Sequence, residues 1–351
     1  MRTPLAFAVL AAALVSVPTL GWCQLAPSPD APPVSSAPAA PADETSVATF
    51  KVNVNLVDIF FTVKDKNNEL VPHLTRNDCT VLEDKAPQTL KSFVAETSQP
   101  LTLGILLDTS GSQERVLQLE QDAGSQFLER VLRQKDEAFL ISFDVNVDLL
   151  QDFTNSAHEL AHAMNKAQIN TAGGNGGGIP GLGGGTVPTP GGPKGTLLYD
   201  AINLAANEKL NQETGRKAMI ILTDGEDEGS RTKIGEAIAA ANRNNVIVYV
   251  ILCADRGFYG GYGMGYYGYS AAKRIAEETG GRLIDVGNNG QKLQAAFDQI
   301  QDELRTQYVA SYTSSNTKLD GSFRHLAVQC GEGMKVQVRK GYYASAPQQQ
   351  P

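Results

Sequence analysis

The chain has 351 residues, of which 42% are hydrophobic and 19% are charged, and this length corresponds to about two domains. The 38 acidic side chains outnumber the 30 basic ones and leave a formal net charge of -8. This acidic balance argues against non-specific binding to nucleic acid or to anionic lipid, and it favours cations as ligands.

The first 23 residues have the pattern of a secretory signal peptide. Arg2 gives a positive start, residues 5–17 form an apolar stretch too short to span a bilayer, and small residues suit cleavage after Cys23. Leu20 and Cys23 also have the spacing of a lipoprotein signal, but Trp22 is bulky for the position before a lipidated cysteine. We therefore expect a secreted or periplasmic protein without an integral membrane segment in the mature chain, and a lipid anchor at Cys23 is the competing interpretation.

The segments on either side of the middle of the chain predict short antiparallel strands. Residues 24–46 are rich in Ala, Pro and Ser and predict an extended tether. Residues 47–96 and 306–345 instead alternate apolar and polar side chains, and a tail follows at 346–351. Strands are predicted at 50–57, 59–63, 79–83, 308–312 and 335–339. Because neither segment is long enough for a sandwich of its own, we expect the two to pair into one discontinuous β-module.

Residues 97–305 alternate apolar strands with helical stretches. Strands are predicted at 101–107, 138–143, 218–222, 246–252 and 282–286. The segment 147–150 has the pattern of a short antiparallel edge strand, and a helix over 270–280 is ended by Gly280 and Gly281. The alternation predicts an α/β domain with a doubly wound, mostly parallel sheet.

Polar residues follow two of these strands and open one of the helices. Asp108, Ser110 and Ser112 come directly after the first strand, Asp224 follows the strand at 218–222, and Thr196 leads into a helical stretch. Open α/β sheets bind ligands in the crevice at the C-terminal ends of their strands, so these side chains are expected to meet there. Oxygen ligands without His or Cys favour Mg²⁺ or Mn²⁺.

The D-x-S-x-S pentapeptide at 108–112 resembles the metal-ion-dependent adhesion site of von Willebrand factor A domains, and Thr196 and Asp224 match that family's two further loops. The resemblance implies that Ser110 and Ser112 coordinate the ion directly, Thr196 directly or through water, and the two Asp mostly through water. It also implies a Rossmann-like fold across 97–305 and an open coordination position for an Asp or Glu carboxylate from a protein partner. The competing interpretation is a loop that only caps helices.

The flanks of this domain resemble those of a bacterial subfamily of secreted proteins, best known from acidobacteria. Residues 74–78, 81–85 and 341–343 carry that resemblance. We therefore expect an exported, divalent-cation-dependent protein-binding module for adhesion or assembly, and not an enzyme. A structural envelope protein is an alternative from a different class.

A second motif indicates another chemistry. His158 to His162 matches H-E-x-x-H, in which two His one turn apart bind Zn²⁺ and Glu159 is the general base of a metalloprotease. Ser156 and Glu159 also have the spacing of a capping box, which gives Glu159 a structural role. No third ligand follows at a recognised spacing, and Glu208 is a distant candidate. A zinc metalloprotease is therefore the alternative function.

Two glycine-rich segments, 172–195 and 257–269, flank the predicted metal crevice. Neither has the spacing of a phosphate-binding loop, and the first is expected to be a disordered insertion. The second contains Tyr262, Tyr266 and Tyr267, and both disorder and a tyrosine-lined recognition rim remain open for it.

The cysteines and one acidic run complete the expectations. Three cysteines remain after removal of the signal peptide, so at most one internal disulfide can form. Cys79 and Cys330 both fall in the predicted β-module and are the candidates for it, while Cys253 is expected to be a buried free thiol. The acidic run at 226–228 is interpreted as a solvated turn, with a second ion site as the competing interpretation.

Overall fold

The computed structural model describes residues 56–95, 99–169, 195–254 and 267–344. Its strands are β1 (Leu56–Lys64), β2 (Cys79–Glu83), β3 (Ala86–Pro87), β4 (Leu90–Ala95), β5 (Leu101–Asp108), β6 (Glu137–Phe143), β7 (Val147–Thr154), β8 (Arg216–Thr223), β9 (Val246–Leu252), β10 (Leu283–Asp285), β11 (Tyr308–Thr313), β12 (Phe323–Cys330), β13 (Lys335–Val338) and β14 (Gly341–Tyr343). Its α-helices are α1 (Leu117–Val131), α2 (Ala157–Lys166), α3 (Leu198–Leu204), α4 (Ile234–Arg243), α5 (Gly268–Thr279) and α6 (Gly290–Arg305), and a π-helical turn at Ala205–Lys209 continues α3.

A six-stranded sheet in the order β10-β9-β8-β5-β6-β7 forms the centre of the α/β part. Its strands pair in parallel, except that β7 runs antiparallel to β6. Every residue of β5 is buried, as expected for a strand covered on both faces. The predicted α/β class with a doubly wound, mostly parallel sheet is confirmed, and the edge strand is longer than the predicted segment 147–150.

Helices cover both faces of this sheet. On one face α1, α2 and α6 pack together, and the rings of Phe127 and Phe297 lie 4.7 Å apart between centroids. On the other face α3, α4 and α5 contribute mainly alanine, isoleucine and leucine side chains. Gly104 in β5 leaves room for a neighbour on that face, since a Cβ there would come within 2.7 Å of the Phe139 ring. None of the helices in the described ranges has both the length and the apolar character needed to cross a bilayer.

The remaining strands form two four-stranded sheets, β13-β1-β11-β4 and β14-β12-β2-β3. Both sheets combine strands from the two ends of the chain, and their inner faces share one hydrophobic core. The predicted discontinuous β-module is therefore confirmed. The separate strands predicted at 50–57 and 59–63 are wrong where they can be compared, because Asp58 lies within a continuous β1. The polar side chain fits because Asp58 faces Ser311 on β11 and accepts its hydroxyl hydrogen bond over 2.6 Å.

A disulfide joins a strand near the start of the described chain to a strand near its end. Cys79 in β2 and Cys330 in β12 are direct partners in the strand register, and their sulfurs are bonded across 251 residues of sequence. Cys253, which follows β9, is a buried free thiol as expected. The disulfide therefore links the neighbouring strands β2 and β12 covalently within their sheet.

Candidate metal site

Asp108 is the buried centre of the predicted site. It ends β5 at the C-terminal edge of the sheet, and none of its surface is exposed. Its Oδ1 accepts the backbone N–H of Ser110 over 3.0 Å, and its Oδ2 accepts the hydroxyl of Thr223 over 2.6 Å. These two hydrogen bonds hold the carboxylate in one orientation.

The two serine hydroxyls of the motif lie side by side. A single helical turn over Gly111–Gln113 follows Ser110, and it brings Oγ of Ser112 to 3.1 Å from Oγ of Ser110. The Ser110 side chain is largely buried, while Asp108 lies directly behind it through its bond to the Ser110 amide. The turn therefore presents two adjacent neutral oxygens next to a carboxylate, which is the local arrangement that D-x-S-x-S predicts.

Asp224 reaches the same edge from the neighbouring strand. It follows β8, which pairs with β5, and it is 1% exposed. Gly225 has φ +82°, so the chain turns away immediately after Asp224 with a backbone conformation that favours glycine. The Thr223 bond to Asp108 ties the start of this loop to the first one.

Thr196 is held at this edge by its backbone. It forms an antiparallel bridge with Glu228, with N···O distances of 2.9 and 3.0 Å. The next amide, that of Leu197, donates to the Asp144 carbonyl over 2.8 Å, and the Asp144 carboxylate accepts the Thr109 hydroxyl over 2.9 Å. Thr196 is thus attached to the first loop through Asp144, and all five predicted ligand residues lie at one edge of the sheet.

The electrostatics of the site favour a cation. Burial, followed by the charge of Asp224, raises the pKa of Asp108 to about 7. Two buried carboxylates and three hydroxyl oxygens form a hard, oxygen-only donor set, which fits Mg²⁺ or Mn²⁺. A divalent ion at this edge would remove the repulsion that raises the Asp108 pKa.

Glu120 is a buried acid below this site that the sequence analysis missed. It is 0% exposed on α1, and among the described residues no donor meets its carboxyl oxygens at standard hydrogen-bond geometry. Burial chiefly, with smaller contributions from Asp108 and Asp224, raises its pKa to about 8, while the nearby Cys253 thiol lowers it. Gln113 is also fully buried, and its side-chain nitrogen and oxygen have no partner in the described part of the chain. The helical period, which places Glu120 on the buried stripe of α1, is the signal that could have identified it.

The acidic run after Asp224 lies in a partly exposed loop, and two of its three carboxylates also cap helices. Glu226 Oε1 accepts the backbone N–H groups of Tyr267 and Gly268 over 2.6 and 2.8 Å, at the start of α5. Asp227 accepts the N–H of Tyr199 in the first turn of α3 over 3.0 Å. The first N–H groups of a helix lack partners within the helix, and these carboxylates supply them.

The H-E-x-x-H segment lies in the first half of α2. Ser156 Oγ accepts the Glu159 amide over 3.3 Å, as its predicted cap position requires. The Glu159 carboxylate accepts the Thr154 hydroxyl over 2.8 Å, whereas a reciprocal capping box would direct it to the Ser156 amide. His158 and His162 are exposed with parallel rings 6.5 Å apart between centroids. Within the described ranges no three His, Cys, Asp or Glu side chains are grouped to hold a metal, so Glu208 does not complete a zinc site.

Part of the tyrosine-rich segment borders the site. Tyr262 and Tyr266 lie outside the described residues, as does most of the first glycine-rich segment. Tyr267 is 75% exposed directly before α5, and Tyr269 is 45% exposed in its first turn. The Tyr267 amide is one of the two held by Glu226, and Gly268 packs against the backbone of Asp224 and Gly225, so Tyr267 lies next to the loop that carries Asp224.

No protein-family model and no curated protein matches the sequence. Among solved structures, the chain is similar to the conserved hypothetical protein BatB from Bacteroides thetaiotaomicron, with 18% identity, a TM-score of 0.42, and coverage of 58% of this chain and 99% of that one. It is also similar to proximal thread matrix protein 1 from the mussel byssus, with 14% identity and a TM-score of 0.46, over 64% of this chain and 51% of that one.

A third similar structure is the SpRpn10 VWA domain, with 13% identity, a TM-score of 0.38, and coverage of 56% of this chain and 94% of that one. A further structure of the mussel protein has a zinc-occupied MIDAS motif. Likenesses this distant do not assign a function to the chain. The α/β fold is established by the strand order, the parallel pairing and the helices on both faces of the sheet.

Proposed function

We propose that the protein is an exported, divalent-cation-dependent protein-binding module of the von Willebrand factor A type. The observation that carries the proposal is the 3.1 Å contact between the Ser110 and Ser112 hydroxyls beside the buried, oriented carboxylate of Asp108. This geometry supports a metal-ion-dependent adhesion site more than a loop that only caps helices. The 3-10 turn after Ser110 shows no side-chain cap bond from that residue, and α1 begins later, at Leu117.

The ion would be Mg²⁺ or Mn²⁺, held by Asp108, Ser110, Ser112, Thr196 and Asp224. The three hydroxyl ligands are neutral, so the bound ion would act as a Lewis acid for a carboxylate from outside. Asp108 and Asp224 would balance its charge from within the sheet edge. An Asp or Glu side chain of a partner protein is the group expected to bind, and the proposed activity is recognition and not catalysis.

Two features support export. The first 23 residues have the signal-peptide pattern, and the bonded pair Cys79 and Cys330 belongs to an oxidising environment. The resemblance of the flanks to secreted bacterial proteins agrees with this location. The periplasm and the cell exterior both fit these features.

Calorimetry with Mg²⁺ and with Mn²⁺ tests the ion site directly. We expect one ion per chain in the wild type and loss of binding in Asp108→Ala. Asp148→Ala is the matched control, because Asp148 is an exposed carboxylate on edge strand β7 of the same sheet. Equal affinity in the wild type and in Asp108→Ala would refute the site.

A pull-down from periplasm and medium, with Mg²⁺ or with chelator, tests the binding function. We expect a partner that is retained with Mg²⁺ and lost with chelator or in Ser110→Ala. Tyr267→Ser should only weaken retention, because an exposed ring beside the site adds contact area without holding the ion. A partner that is retained equally well in chelator would contradict the metal-bridged mechanism.

A further inference from the structure

A cleft of about 450 Å³ lies between the edges of two sheets. It is lined by all four residues of β13 and by residues 281–283 at the start of β10. Side chains alternate between the faces of a strand, so a lining of consecutive residues means that the cleft opens onto strand edges. Among the described residues β13 pairs with β1 alone and β10 with β9 alone. No described strand pairs with the outer edge of either strand, although Gly280 packs against the backbone of Val338 and Arg339 at the end of β13. Residues 335–337 are therefore the part of the β13 edge that a further strand could use.

The cleft is cationic in a protein that is acidic overall. Its lining contains five basic side chains, namely Lys64, Lys273, Arg282, Lys335 and Lys340. Two carboxylates oppose them, Glu277 in the lining and the buried Glu303, so three positive charges are in excess. The whole chain carries -8. A local excess of the opposite sign attracts an anionic partner to this place.

One pair of these lysines destabilises the fold. Lys64 and Lys335 are direct partners in the β1–β13 register, and like charges in that position repel each other. Lys64 is compensated by Glu303, whose carboxylate lies 2.7 Å away and is shared with Arg282. Lys335 is exposed and forms no ion pair with another described residue. Lysine on an edge strand also discourages unwanted pairing, but an acidic strand would turn that repulsion into attraction.

We propose that this cleft binds an extended acidic segment of a partner protein, which adds as a strand to the open edge of β13. Main-chain hydrogen bonds would supply affinity, and alternate Asp or Glu side chains would meet Lys335 and replace Glu277 as the partner of Lys273 and Lys340. Those two lysines lie 3.8 and 4.0 Å from Glu277 in exposed ion pairs, which are weak and easily exchanged. The side chains of Val336 and Val338 pack against the hydrophobic core of the β-module, so these two residues leave the edge of the strand, and not an apolar side chain, to the ligand. The cleft contains none of the five proposed metal ligands, so the proposal goes beyond the proposed function.

Fluorescence anisotropy of the whole protein with a labelled peptide of alternating Glu and Val tests the proposal, in chelator so that the metal site does not contribute. We expect binding that weakens with salt and falls about tenfold or more in Lys273→Glu/Lys335→Glu. Lys91→Glu is the matched control, since Lys91 is an exposed lysine on β4, at the opposite edge of the same sheet. Lys273→Gln/Lys340→Gln repeats the measurement with less perturbation if the charge-reversed variant does not fold.

A second peptide distinguishes strand addition from general attraction of anions. N-methylation of alternate amides removes main-chain donors but keeps every carboxylate, so this peptide should lose binding. Equal binding of the methylated and parent peptides would overturn the proposal in favour of a polyanion site. A sulfated polysaccharide that competes for the wild-type protein as well as the unmethylated peptide does would overturn it in the same way. Equal affinity in the wild type and both lysine variants would also overturn it.

Discussion

The Thr223 hydroxyl lies 2.6 Å from Oδ2 of Asp108, and this hydrogen bond joins β8 to β5 at the floor of the proposed metal site. Asp108 has no exposed surface, so protein donors must replace the water that would otherwise solvate its carboxylate. The bond also fixes which oxygen faces the Ser110 amide. Thr223 therefore belongs to the site although it is not one of the five residues of the motif.

Thr223→Val should destabilise the protein and weaken Mg²⁺ binding. The change removes the donor but keeps the branched shape, which leaves a buried carboxyl oxygen unpaired at a cost of about 1–3 kcal/mol. Urea denaturation in chelator measures the free energy of unfolding, and calorimetry measures the ion affinity. Thr223→Ser, which retains the hydroxyl, is the control, and equal losses in Val and Ser variants would contradict the hydrogen-bond explanation.

The stability of the metal-free protein should fall as the pH rises, partly because of Glu120. Its pKa is about 8 in the folded chain against an ordinary value of 4.5, so between these values the folded state holds a proton that the unfolded state has released. The free energy of unfolding therefore decreases with pH across that window, by up to about 1.4 kcal/mol per pH unit for one proton. Below pH 4.5 this contribution is constant.

Glu120→Gln isolates that contribution. The amide has nearly the same shape and does not titrate, so unfolding measured in chelator from pH 5 to 8 should show a shallower slope than the wild type. Glu114→Gln is the control, because Glu114 is an exposed glutamate close to α1 in sequence. Parallel slopes for the wild type and Glu120→Gln would show that the buried carboxyl does not titrate as expected.

Reduction of the disulfide should lower stability by about 2–4 kcal/mol, because the bond limits the freedom of the unfolded chain. The comparison is thermal or urea unfolding with and without a thiol reductant. Cys330→Ala should match the reduced wild type and should not respond to reductant. Cys253→Ala should keep the full response, since Cys253 is not bonded. Equal stability of the reduced and oxidised wild type would contradict a structural role for the bond.

Glu226→Ala should loosen the start of α5 and lower stability by about 1 kcal/mol, because two helix N–H groups lose their acceptor. Hydrogen exchange at the Tyr267 and Gly268 amides measures the local effect. Glu226→Gln keeps a carbonyl oxygen and should retain much of the protection. Unchanged exchange in Glu226→Ala would contradict the capping role of this carboxylate.

Local patterns explain what the sequence predicts well. The apolar run of β5 and the serines after it are adjacent in the chain, so a strand followed by an oxygen-rich turn can be recognised without knowledge of any distant contact. The partner of Glu226 lies more than one helix away in sequence, and only the packed structure brings the two together. The pairing of Cys79 with Cys330 likewise depends on the register of β2 and β12.

Glu120 shows a different limit. A glutamate on an amphipathic helix normally lies on the solvated side, whereas the helical period places Glu120 on the buried stripe. The sequence alone does not decide between the two positions. Its burial follows from α1 packing under the C-terminal edge of the sheet, close to Asp108 and Cys253. The chemistry of the predicted ligands is readable from the motif, whereas the charged layer beneath them depends on tertiary packing.

The position of β11 in the middle of the β13-β1-β11-β4 sheet affects the timing of folding during synthesis. β1 and β4 leave the ribosome before the α/β part, and they have no strand between them until β11 follows it. Each therefore exposes an edge to other chains while the intervening residues are made. β12, which carries Cys330, comes later still. The β-module can therefore be completed only after the α/β part of the chain has been synthesised.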